Sequence, residues 1–108
     1  MTMNDLLIKK AHYSLLFSYY GELLTDKQQE IFKAYYEDDY SLSEISESLE
    51  ISRNAVHDSL QLALKNLEQF EQVLKLAEKA QIKAKLFSQY HNQEISDGDL
   101  ISKLEEME

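Results

Sequence analysis

Apolar residues at Leu6, Leu7, Ala11, Leu15 and positions 17 to 20 recur three and four apart, the spacing of one helix face. With Asn4 able to cap its start, the pattern predicts a first helix over about 4 to 20, ended by Gly21. Thr25 and Gln28 then form a T-x-x-Q capping box ahead of Ile31, Phe32, Tyr35 and Tyr36. In such a box the threonine accepts from the N3 amide while the glutamine accepts from the cap amide. This second helix is expected to stop near Asp38 and Asp39, whose charges oppose the negative end of the helix dipole. Ser41 and Glu44 open a third helix carrying Leu42, Ile45 and Leu49, with Tyr40 and Ile45 in the places of a hydrophobic staple. It has room for about two turns before Ser52 caps the next helix, flanked by Ile51 and Val56.

Between positions 52 and 92 there is no glycine or proline, and apolar residues recur at Val56, Leu60, Ala63, Leu64, Leu67, Phe70, Leu74 and Ala77. The spacing sustains one long helix, up to ~60 Å at ~1.5 Å per residue, with a break near Gln81 as the alternative. Such a rod overreaches a small domain. Leu60, Leu67 and Leu74, seven apart, offer a seam for a partner, and homodimerisation is the simplest way to cover it. After a polar stretch over 89 to 99, Ser96 or Asp97 caps a last short helix through Leu100, Ile101 and Leu104. The predicted fold is all-α and a single domain over 1–108: a helix-turn-helix at about 41–67, an N-terminal helix, and a long C-terminal helical extension over about 68–107.

The stretch from Tyr40 to Asp58 is written in helix-turn-helix grammar: a short capped helix, a tight turn, and a second capped helix whose start projects outward. Ser46 is small enough for the crossing, Ile51 supplies the apolar turn residue, and Ser52 is the cap. With Arg53 set at zero and about 100° per residue, His57, Gln61, Asn54 and Asp58 fall within about 140°, forming one polar face. Ala63, Val56, Leu67 and Leu60 gather on the opposite arc, between about 280° and 340°, and Leu62 lies outside it.

Composition narrows the class. A chain of 108 residues holds one modest core. Cysteine and proline are absent, which excludes disulfide frameworks, thiolate metal clusters and thiol nucleophiles, and fits a reducing cytoplasm. No apolar run approaches the roughly 20 residues of a membrane span, and the first residues lack the layout of an export signal, so the mature chain is expected to be the whole chain. Eleven basic against twenty acidic side chains leave a net charge of −9, which repels phosphate at long range. Over 40 to 66, Arg53 and Lys65 face Glu44, Glu47, Glu50 and Asp58, a net of −2. His12, His57 and His91 are too scattered for a helical zinc site, Asp97-Gly98-Asp99 lacks the spacing of a calcium loop, and no nucleophile-base pattern occurs. The expectation is therefore no metal, no cofactor and no catalysis. The pairs Tyr19-Tyr20 and Tyr35-Tyr36 fit core and edge packing better than base stacking, which needs a basic groove beside it.

The blocks Leu24-Thr-Asp-Lys-Gln-Gln-Glu-Ile-Phe, Asp39-Tyr40-Ser-Leu-Ser-Glu-Ile, Ile51-Ser-Arg-Asn-Ala-Val and Leu64-Lys-Asn-Leu67 resemble region 4 of bacterial sigma factors. More closely, the chain resembles the YlxM family over about 10 to 90, through the run Tyr35-Tyr36-Glu37-Asp38-Asp39-Tyr40, the two helices after it and the long charged tail. That resemblance implies a regulatory or accessory role tied, through gene neighbourhood, to the signal recognition particle pathway. Basic components of that particle are then the expected partners, since opposite charge speeds association. The competing reading is a dimeric transcription regulator. It would use Arg53, Asn54, His57 and Gln61 at base edges and Ser41 and Ser52 on phosphates, with two recognition helices about 34 Å apart. The acidic balance disfavours it, and the sigma proteins that it resembles carry basic residues where Ala55, His57 and Asp58 stand here. A third reading is a polymerase-binding decoy that keeps the fold and sheds the basic contacts.

Overall fold

Thr2 rather than Asn4 caps the first helix, α1 (Met3–Tyr20): its hydroxyl accepts from the Asp5 amide while the Asp5 carboxylate accepts from the Thr2 amide. The computed structural model describes residues 2–108, and among them there is no strand. A 3-10 turn over Gly21–Leu23 leads to α2 (Asp26–Phe32), which opens on the expected Thr25 and Gln28 box and widens into a π turn over Lys33–Glu37. Then come α3 (Leu42–Leu49), α4 (Arg53–Leu74), α5 (Leu76–His91) and α6 (Asp97–Glu106). The described chain is thus all-α with a helix-turn-helix at α3 and α4. It divides into two compact units, Met1–Val73 and Leu74–Glu108.

The core of the first unit gathers Leu16 and Tyr20 of α1, Ile31 and Phe32 of α2, Tyr36, Ile45 of α3, and Val56, Leu60, Ala63, Leu64 and Leu67 of α4. Its aromatic spine is Phe17 stacked on Phe32 at 4.3 Å between centroids, and Phe32 stacked on Tyr36 at 4.7 Å. Gly21 serves this spine. Its φ of −55° is ordinary, but a Cβ there would stand 2.9 Å from Cζ of Phe17, so any larger residue requires the ring to shift. Each tyrosine pair divides between inside and outside: Tyr20 and Tyr36 are buried, Tyr19 and Tyr35 exposed. The second unit is a hairpin of α5 and α6 with Leu86 and Leu100 buried; Ser96, one of the two expected caps, accepts from the Asp99 amide at 3.1 Å.

Two expectations about helices are corrected. The rod predicted from Ser52 past Gln81 is interrupted at Lys75, whose φ of 55° and ψ of 31° are left-handed. The core stripe of α4 ends at Leu67; beyond it Phe70 is half-buried against Tyr20, whose hydroxyl donates to the Glu71 carboxylate at 2.6 Å. On α1, the core uses Leu16 and Tyr20, one turn apart, whereas Leu7, Ala11 and Leu15 of the predicted face are exposed.

Candidate interface on the helix-turn-helix

Three local devices make the corner. Ser41 caps α3 by accepting from the Glu44 amide at 3.1 Å, and the Glu44 carboxylate accepts from the Ser41 amide at 3.1 Å. At the other end Glu50 adopts φ 57° and ψ 40°, and the Ile51 amide donates to the Ser46 carbonyl at 3.1 Å, closing a Schellman motif without glycine. Ser52 starts α4 by accepting from the Ala55 amide at 3.0 Å. Below the corner Ile45 and Val56 are buried, so the start of α4 is held by the core while its outer side meets solvent.

That outer side carries Arg53, Asn54, His57, Asp58 and Gln61, all exposed. Lys65 is also exposed and falls at about 120° on the same wheel, within the face. It was legible from its spacing, three turns beyond Arg53, but it was absent from the expected contact set. His57 Nδ1 lies 3.5 Å from the Asp58 carboxylate, so an acid sits beside the group proposed to read bases. Ser41 and Ser52 are exposed and already accept in their own caps. Exposed Glu44, Glu47 and Glu50 stand on α3 and its turn, and Lys10 of α1 pairs with Asp39 at 3.2 Å just before α3. Leu62 is exposed, as its place on the wheel suggested.

The leucine seam is corrected by burial. Leu60 and Leu67 are 3% and 0% exposed, consumed by the core of their own chain, while Leu74 is 42% exposed in the second unit. A heptad spacing cannot tell an intramolecular stripe from an intermolecular one, because both need the same helix face. Two buried leucines leave no open surface for a second copy along that line. Among the described residues no group of three or more His, Asp or Glu is arranged to hold a metal ion, and no helix is long and apolar enough to cross a membrane.

The fold and the corner define an all-helical helix-turn-helix protein. The matching family model is the helix-turn-helix family UPF0122, of proteins like YlxM and p13, and it covers residues 7–107. The chain belongs to that family. It is 41% identical over 100 residues to a UPF0122 protein of Lactococcus lactis subsp. cremoris, covering 93% of this chain and 90% of the relative. A UPF0122 protein of Listeria monocytogenes is 45% identical over 85 residues, 79% of this chain and 77% of that one. One from Thermoanaerobacter is 56% identical over 68 residues, 63% of this chain and 58% of the relative's length.

Proposed function

We propose that the chain is a non-enzymatic accessory or regulatory protein of the cytoplasmic signal recognition particle pathway, whose helix-turn-helix serves as a docking surface for a basic protein partner. The observation that carries the docking role is the charge around the corner. Glu44, Glu47 and Glu50 surround it and Asp58 lies on the exposed face itself, against Arg53 and Lys65. Non-specific DNA affinity comes from neutralising phosphates, and this surface repels them. The pathway assignment is supported by the resemblance to YlxM. The carboxylates are spread over solvated helix faces.

The test is association of the purified chain with purified protein components of the particle, measured over a salt series after nuclease treatment. Electrostatic attraction predicts an on-rate that falls as salt rises. A salt-independent on-rate, or capture that disappears with nuclease, overturns the reading.

DNA reading is the second proposal, favoured by one observation: Arg53, Asn54, His57 and Gln61 are exposed together at the start of α4. Such a reader should lose affinity when Arg53 becomes alanine, by roughly 1–3 kcal/mol if the arginine pairs with guanine. A protein-docking surface, or a decoy on polymerase, retains its partner in that variant.

A further inference from the structure

The stripe of α1 that periodicity singles out is the one that the core leaves uncovered. With Met3 at zero and about 100° per residue, Leu7, Ala11, Leu15, Ile8 and Tyr19 fall between about 40° and 160°. Leu7 is 57% exposed, Ile8 60%, Leu15 and Tyr19 40% each, and Ala11 is exposed too. The core side of the helix, with Leu16 and Tyr20, lies on the other half. Asn4 and Ser18 also fall inside the exposed arc, but no ionised side chain does: Asp5 and His12 lie beyond one edge and Lys10 beyond the other.

We propose that this stripe is the interface for a second copy of the chain, two α1 helices packing antiparallel about a two-fold axis at Ala11. Three observations select a second copy over another partner. A two-fold contact must be self-complementary, residue i meeting j and j meeting i. The stripe has that symmetry about Ala11: Leu7 and Leu15 stand four residues to either side and Asn4 and Ser18 seven, while Tyr19 is matched by Met3 and Ile8 by Ser14 at the arc's edge, at about 0° and 20°. Leucine therefore meets leucine, amide meets hydroxyl, and the methionine thioether meets an aromatic ring, a favourable contact. The residue at the centre is small, which lets helix axes approach to about 8 Å. Charge makes the third case. A chain of net −9 repels its own copy over most of its surface, and this arc presents no like charges to be brought together. The inference is independent of the docking role proposed for the corner.

The area sets the strength. One helix of 18 residues is about 27 Å long and offers less than the roughly 800 Å² per partner of a standard interface, so the dimer is expected to be weak and visible only across a concentration series. Sedimentation equilibrium on the full chain should show monomer passing to dimer at micromolar concentrations. Ile8→Glu, a change at an exposed position, should weaken dimerisation at least tenfold with unchanged helicity by circular dichroism. Because the chain has no cysteine, Ala11→Cys adds a single thiol, and mild oxidation should link it to its copy. Val73→Cys, at a residue 80% exposed on α4 and outside the stripe, is the control and should link far more slowly. A monomer at every concentration, a dimer that Ile8→Glu leaves intact, or an Ala11→Cys variant that links no faster than Val73→Cys would each overturn the proposal.

Discussion

Replacing Glu50 with glycine should make the protein more stable. Glu50 occupies the left-handed region at φ 57° and ψ 40° in the turn between α3 and α4. There an L side chain crowds its own carbonyl at a cost of roughly 1–2 kcal/mol, which glycine escapes. Glycine loses more backbone entropy on folding, about 0.5–1 kcal/mol, so a net gain of roughly 0.5–1 kcal/mol remains. At about 4–8 °C per kcal/mol for a domain of this size, the midpoint should rise by roughly 2–8 °C. Glu50→Ala is the necessary companion. It removes the same carboxylate from the negative end of α3 but keeps a Cβ in the strained region. Thermal and urea denaturation of the three proteins, followed by circular dichroism, separates the two effects. If the glycine variant is no more stable than the alanine variant, the backbone argument for this corner is wrong.

Gly21→Ala should destabilise by about 1–3 kcal/mol, since the new methyl meets a Phe17 ring pinned against Phe32; urea denaturation reads it, and a neutral result would mean that the aromatic spine shifts freely. Tyr36 is buried, and burial, with Tyr35 and Tyr13 beside it, pushes its phenol up to about 12 from 10.0. Between those values the unfolded chain has lost a proton that the folded chain still binds, so stability should fall as pH rises from about 10 to about 12. Tyr36→Phe should flatten that decline in an alkaline denaturation series, and an unchanged slope would discount Tyr36 as its source. Leu67→Ala should cost about 2–5 kcal/mol in the monomer, as expected of a fully buried core leucine. A loss of association with no loss of monomer stability would restore Leu67 to an intermolecular seam.

The components of the surface proposed at the corner were unequally legible in the sequence. Helical spacing alone set Arg53, Asn54, His57 and Gln61 on one polar arc, because Val56, Leu60, Ala63 and Leu67 form an apolar arc opposite them. Lys65 joins that face only when the wheel is carried twelve residues past Arg53, beyond the start of α4. Leu60 and Leu67 are buried in their own chain for a reason that spacing does not carry: it reports that a face is apolar and is silent on which molecule covers it.

Four of the six described helix starts were read from local chemistry. Thr25, Ser41, Ser52 and Ser96 each bond to an amide three residues on, a contact that needs no tertiary partner, and all four stand where their side-chain chemistry put them. Helix ends were legible only in part: those at Gly21 and Asp38 stand where the sequence put them. Asp39, Glu50 and Gln93 turn left-handed beside three helix ends, and Lys75 does so between α4 and α5, all without the glycine that usually marks such positions. A side chain pays for that conformation and residue spacing does not signal it, so the break at Lys75 was not legible, while the choice of Leu16 over Leu15 as the buried face of α1 was decided by the assembled core.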